Sequence, residues 1–388
     1  MSFLKAYRDH AERLTDAPPI FHLWVGLSVL GAALGNACWV YAWGGRKYPH
    51  LWIVLLADSG VFRKTTAINV GVDILREAEP ARVYPSEWSF EALLNILASR
   101  PAGLLVAREF RRFMAATLRD YSVGAKEALV DLYDSPAVDE RRTKGEGLVQ
   151  IKNAAPALLS STTLDWFVTS LRAEDIGGGL FSRLLVVTGK EPGEWRGLGA
   201  TRCAADQEVR TSLVDHLKGL KATMTGELDF SAIKGPFNEW LRDYERRWSA
   251  TCPAEMAGAI SRSGTTCLKL TMAFQASLGP SKALSLKAFE HARDLLDRTH
   301  TTMAQLVGEG ISLDRYGQQR QKILKLIDER GRISHSEALR LSHLDGQAFA
   351  RHIGTLKESG AIDIETARPE GQGRSGKVYV SLNGATPQ

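Results

Sequence analysis

A lysine followed by two threonines, Lys64-Thr65-Thr66, sits in the stretch LLADSGVFRKTTAINVGVDIL that runs from residue 55 to residue 75. A loop that holds phosphate needs backbone N–H groups turned toward the oxygens, a lysine that reaches the outer phosphates, and a neighbouring hydroxyl for magnesium. Lys64 supplies the cation and Thr65 the hydroxyl. An apolar strand pattern precedes them and a helical pattern follows, which is the context the motif requires. On the G-x-x-x-x-G-K-[ST] spacing, Asp58 falls at the first glycine position and Arg63 at the second, so Gly60 is the flexible residue left to the loop. The expected ligands are ATP and Mg2+. Gly60, Arg63, Lys64, Thr65 and Thr66 are the expected nucleotide contacts, with Thr65 also on the metal and Arg63 offering a second cation to phosphate.

Further along, three apolar runs end in residues that suit the same chemistry. GLLVAREF ends in Arg108 and Glu109, where Glu109 is placed to orient an attacking water while Arg108 cannot serve as a metal-shell acid. PALLSSTT brings Ser161 or Thr162 as a polar reader of the outer phosphate or the water; hydroxyls there also suit a helix cap. In GGGLFSRLL, Arg183 follows a glycine turn and is expected to project into a neighbour's site and neutralise transition-state charge. Arg262, in AISRSGTTCLKL, is a weaker candidate for a second nucleotide sensor.

These candidates need a sheet to hold them. Apolar strands alternating with helical stretches from Tyr48 onward predict an α/β sheet with parallel pairs. Beyond about Ala200 the patterns are helical, as in PFNEWLRDYERRW and LKAFEHARDLLDRTHTTMAQL, and predict a lid or bundle. The expected organisation is an N-terminal helical element over 1–47, the core over 48–200, the helical lid over 201–315 and a small unit over 316–388. In that last unit, three helical stretches are followed by a hairpin with a glycine-rich tip, the order of a winged helix. Its third stretch, DGQAFARHIGTLKESG, carries an apolar stripe of Phe349, Ile353 and Leu356 and leaves Gln347, Arg351, His352 and Lys357 for DNA. The wing adds Arg368, Arg374 and Lys377 for phosphate contacts.

Composition narrows the classes. A net charge of +5 with acids and bases interspersed permits a nucleic-acid partner without requiring one. Four cysteines with no paired spacing argue against a zinc module or a disulfide framework and suit a reducing cytoplasm. The start MSFLKAYRDH lacks the layout of a secretory signal. The segment from Ile20 to Trp43 has no Lys, Arg, Asp or Glu and is long enough for a bilayer. It also holds His22, Asn36 and three glycines and ends in CWVYAW, so a buried helix over about Phe21 to Gly35 followed by a strand is expected, with no membrane partner.

Together, APPIFHLWVGLSVLGAALG, YPHLWIVLLADSGVFRKTTAI, GLLVAREF, LVDLYDSP, PALLSSTT and GGGLFSRLLVV resemble a family of helicase-like ATPases of phages, plasmids and other mobile elements, whose relatives occur beside primase modules. The resemblance covers roughly Phe3 to Val187. It implies a RecA-like or AAA-type P-loop core that assembles as a homo-oligomeric ring, such as a hexamer, and works on single-stranded or origin DNA during element replication. A primase or host replication protein is the implied further partner. Lys64 and Thr65 carry over as the ATP and magnesium loop, Glu109 as the water-orienting acid, Ser161 or Thr162 as sensor, and Arg183 as arginine finger. Two readings follow: an ATP-driven motor or loader, favoured by Lys64, Thr65, Glu109 and Arg183, and a catalytically impaired scaffold whose winged helix binds an origin or recruits a partner, favoured by Asp58, Arg63 and Arg108.

Overall fold

A computed structural model describes residues 2–117, 124–143, 147–171, 175, 179–196, 204–308, 315–358, 360–367 and 376–382. It divides into two compact units, Met1–Gln305 and Leu306–Gln388.

The first unit begins with helices α1 (Phe3–Leu14) and α2 (Pro19–Leu34). Prolines at the start of α2 pre-set its first turn, and Gly35, at φ 54°, ends it. The helix is apolar around most of its circumference, and a helix of that kind must be enclosed. It lies against α1 and against α3 (Lys64–Ala78), the helix that follows the candidate loop. Among the described residues, no helix is long and apolar enough to cross a membrane. The strand expected after α2 is β1 (Cys38–Ala42), which turns back into β2 (Gly45–Lys47).

The central sheet is built from β3 (Trp52–Leu56), β4 (Ala102–Ala107), β7 (Ala155–Thr162) and β8 (Leu184–Thr188), all parallel, in the order β4-β7-β3-β8. Parallel strands are covered on both faces, which is why each reads as a continuous apolar run. Alternate residues separate the two faces. Ile53, Leu55, Leu104, Val106, Leu159 and Val187 join the core shared with α2 and α3. Trp52 points the other way, its ring packing edge-on to Phe113 and Tyr133. Those two belong to α5 (Phe110–Thr117) and α6 (Ala125–Tyr133). Between α3 and β4 lies α4 (Phe90–Ser99), capped by Ser89, whose hydroxyl accepts the Ala92 N–H at 3.2 Å. A hairpin of β5 (Val138–Thr143) and β6 (Gly147–Lys152) precedes β7, and α7 (Leu164–Ser170) follows it.

The helices after residue 200, expected as a lid or bundle, share the apolar core of the sheet. They are α8 (Ala204–Thr223), α9 (Ser231–Thr251), α10 (Ala257–Ser261), α11 (Ser263–Leu278) and α12 (Leu286–Gly308), with the short strand β9 (Gly226–Glu227) pairing with β1. Leu213, Leu217, Leu220, Met272, Phe289 and Leu296 belong to the same apolar core as Ile53 and Leu159. Amphipathic spacing fixes which side of a helix is buried, not what it is buried against.

The second unit contains α13 (Arg315–Arg330), β10 (Arg332–Ser334), α14 (His335–Ser342), α15 (Gly346–Glu358), β11 (Ile362–Ala367) and β12 (Gly376–Ser381). Its three strands are antiparallel in the order β10-β12-β11. A core of its own holds Ile323, Ile327, Phe349, Ile353, Leu356 and Tyr379.

Candidate functional site

Because β3, β4 and β7 are parallel, their C-terminal ends open on one edge of the sheet. Connections leave β3 toward β4 and β7 toward β8, in opposite directions across the sheet, and such a switch point is where open α/β sheets receive ligands. A cleft of ≈ 1050 Å³ lies on this side of the sheet at the end of β4, and Thr65, Ser86, Glu87, Trp88, Arg108, Glu109 and Arg112 are among its lining residues. Thr65 and Glu109 thus line the same cleft. Because β7 stands between β3 and β4, its hydroxyl-bearing end is set between the loop and the acid.

Within the loop, Gly60 has φ 90° and open space around it. Arg63 adopts the left-handed conformation, φ 44° and ψ 33°, immediately before α3. For a residue with a Cβ this costs about 1–3 kcal/mol, and such outliers concentrate at ligand sites. Arg63 thus takes, in spite of its Cβ, a backbone conformation that glycine would adopt without strain. Its guanidinium turns away to Asp16, Nε to Oδ1 at 3.2 Å. Lys64 Nζ donates to the carbonyls of Ala57 at 2.6 Å and Asp58 at 2.8 Å, so the lysine closes the mouth of its own loop. Burial pulls its pKa below the ordinary value, and the carboxylates of Glu109 and Asp58 pull it back part of the way. Thr66 is exposed beside Thr65.

The strand ends are pinned by hydroxyls. Ser160 Oγ donates to the Ala107 carbonyl at 2.6 Å and Ser161 Oγ to the Arg108 carbonyl at 2.7 Å. Ser161 thereby holds the Arg108–Glu109 turn. Thr162 Oγ1 is buried with no hydrogen-bond partner among the described residues, which leaves it the better candidate of the pair.

Arg183 corrects an expectation. It lies just before β8, at the N-terminal edge of the sheet, and is 5% exposed. Its Nη1 donates to the Gly179 carbonyl at 2.7 Å, and its Nη2 is ion-paired with Asp134. A guanidinium enclosed in its own chain does not project to a neighbour. Arg262 lies 3.9 Å from the same Asp134 carboxylate and so belongs to this edge, not to the cleft. Lys269 is buried nearby, 2.9 Å from His50 Nε2 and 3.5 Å above the Tyr133 ring, and burial holds its pKa well below the ordinary value. Arg112, Trp88 and Ser86 were missed by the sequence reading. Arg112 had a signal, standing four residues after Arg108, whereas Trp88 and Ser86 come from the segment before α4, whose path nothing in the spacing defines.

In the second unit, Gln347, Arg351 and Lys357 are exposed on α15, and Lys377 is exposed on β12. His352 is buried, with Nε2 3.4 Å from Gln319 Oε1. It stands three residues after Phe349 and four before Leu356, on the same side of the helix, so it joins the core and is corrected as a DNA contact. Arg368 and Arg374 lie outside the described residues. Compared with known proteins, the chain matches no family model and no curated protein sequence.

Proposed function

We infer that the chain is a helicase-like ATPase acting on DNA, of the kind the resemblance to phage and plasmid replication proteins implies. The observation that carries the reading is the convergence of Thr65 and Glu109 on one cleft at the C-terminal edge of a parallel sheet, with Lys64 in the loop beside them. In this mechanism Lys64 exchanges its loop carbonyls for the outer phosphates of ATP, and the Thr65 hydroxyl donates to a phosphate oxygen. Glu109 orients the attacking water and takes its proton, while Ser161 keeps the turn that bears Glu109 in register. The second unit is taken as a winged helix that holds DNA through α15 and β12.

ATP hydrolysis by the full chain, with and without single-stranded or duplex DNA, tests this. Glu109→Gln is expected to keep ATP binding and lose about 10²–10³ in turnover, whereas Lys64→Ala loses binding. Turnover unchanged in Glu109→Gln would sink the assignment of the acid. The scaffold reading is favoured by the self-capped Lys64 and the enclosed Arg183, and it is the conclusion if DNA binding persists in all three proteins without turnover. For the DNA surface, Arg351→Ala and Lys357→Ala are each expected to reduce the slope of log affinity against log salt by about 1. His352→Ala is expected instead to lower the stability of the second unit. A salt slope unmoved by either surface change would remove α15 from the interface.

A further inference from the structure

Resting on the DNA reading above, we propose that the β1–β2 hairpin is a further DNA contact, on the first unit, where Tyr41 and Trp43 stack on unpaired bases and Arg46 takes a flanking phosphate of a single strand. Between Asp16 and Asp58 the chain has no Asp or Glu, while positions 39–48 hold Trp39, Tyr41, Trp43, Arg46, Lys47 and Tyr48. Strand pairing sorts these side chains. Tyr41 stands directly opposite Arg46, and Trp39, two residues earlier, shares their face. The Arg46 guanidinium lies 4.2 Å over the Trp39 ring, and its Nη1 donates to Asn153 Oδ1 at 3.4 Å, an oxygen that also accepts the Tyr48 hydroxyl at 3.0 Å. Among the described residues neither Arg46 nor Lys47 has a carboxylate within ion-pair distance. The acid this small sheet does carry, Glu227 of β9, stands opposite Trp39 on the side of β1 away from β2. Lys47, on the other face of the hairpin, lines a small recess together with Arg262, so cations flank both faces.

At the tip, Trp43 and Gly44 form a two-residue turn between the paired Ala42 and Gly45, with φ 48° and 74°. Both positions of such a turn favour glycine or asparagine, so a tryptophan sits there against the preference of the backbone. Its ring is braced without being buried. A Cβ at Gly264 of α11 would lie 2.9 Å from the indole, so the glycine makes room for the ring, and Phe237 of α9 is 6.4 Å away between centroids. Trp43 is nonetheless 58% exposed and Tyr41 53%. A ring already held in place loses little freedom when a base settles on it. Exposed rings beside cations without carboxylate partners match a single strand, which offers π-faces and phosphates together. A duplex keeps its bases stacked on one another, so it could engage Arg46 and would leave both rings bare.

The test is fluorescence anisotropy of the full chain with a labelled single-stranded oligothymidine and with a duplex of equal length. Trp43→Ala is expected to weaken single-strand binding by about 5–100-fold, the loss of one stacked base, and to change duplex binding by less than about twofold. Trp43→Phe keeps a stacking ring and is expected to stay within about threefold of the unaltered chain. Arg46→Ala is expected to reduce the single-strand slope of log affinity against log salt by about 0.7. Thermal melting checks that the variants are folded, and light scattering follows their oligomeric state. A single-strand affinity and salt slope unmoved by Trp43→Ala and Arg46→Ala would overturn the inference and leave DNA to α15. A changed oligomeric state in Trp43→Ala with single-strand affinity intact would also overturn it, marking the hairpin as a contact between copies of the chain. Binding of neither DNA by the unaltered chain would overturn both this contact and the DNA reading.

Discussion

Gly31→Ala is expected to destabilise the first unit by about 4 kcal/mol, lowering its Tm by about 6 °C at ~2.1 cal/mol/K per residue. Gly31 lies inside α2, where alanine would ordinarily be favoured by about 1 kcal/mol. A Cβ at this position would meet the Pro49 carbonyl oxygen at 2.4 Å, and the obstacle is backbone, which cannot swing aside. Pro49 and His50 lead directly into β3, so α2 would have to move away from the strand that carries the loop. That shift would be felt on all sides, because α2 also lies against α1, α3, β4 and β7. Gly219, in α8, meets nothing within 4 Å and provides the control: Gly219→Ala is expected to raise stability by up to about 1 kcal/mol. Urea or thermal unfolding of the two variants decides the matter. An equal gain in both would mean that α2 is free to relax and that the close approach does not constrain the fold.

The same close packing shows how far the sequence could be read. The four central strands were legible because LWIVLLA, GLLVAREF, PALLSSTT and FSRLLVVT are apolar runs of strand length bounded by polar or glycine turns. Thr65 and Glu109 were legible because strand ends in a parallel sheet share one edge. Arg183 was not, because what fixes it is Asp134, 49 residues earlier in the chain. No local pattern encodes such a partner. Arg63 could be aligned with the motif's second glycine, but its left-handed backbone is a property of the folded turn, and its ion pair with Asp16 reaches back 47 residues. His352 was the opposite case. Its spacing from Phe349 and Leu356 puts it on the core side of the helix, and that spacing outweighs its polar character. The β5–β6 hairpin was also within reach, since Val149 and Ile151 alternate with exposed residues.

Stability is expected to fall steeply on mild acidification, by about 4 kcal/mol between pH 7.5 and pH 5 from two histidines alone. His22, on α2, is fully enclosed, and neither of its ring nitrogens has a hydrogen-bond partner among the described residues. His300, on α12, is 2.8 Å from the Tyr244 hydroxyl and packs edge-on to Trp248. Burial pushes both imidazoles down to about 4. Each folded pKa is therefore below the unfolded value near 6.5, so between the two the unfolded chain binds a proton that the folded chain refuses. The stability tied to each neutral ring is fully present above pH 6.5, declines as pH falls, and levels off below about pH 4 after a loss of about 3 kcal/mol. His50, also buried, has its pKa pushed well below the ordinary value by burial and by the Lys269 ammonium beside it, and it adds to the same slope. Ordinary carboxylates titrate near 3.9–4.3, so a loss already complete in large part at pH 5 belongs to histidine. Urea midpoints from pH 7.5 to 5 measure it, and His22→Leu and His300→Phe are each expected to remove about 2 kcal/mol of the fall. A midpoint that stays constant over that range in the unaltered chain would mean that the two rings are reached by water and protonated in place.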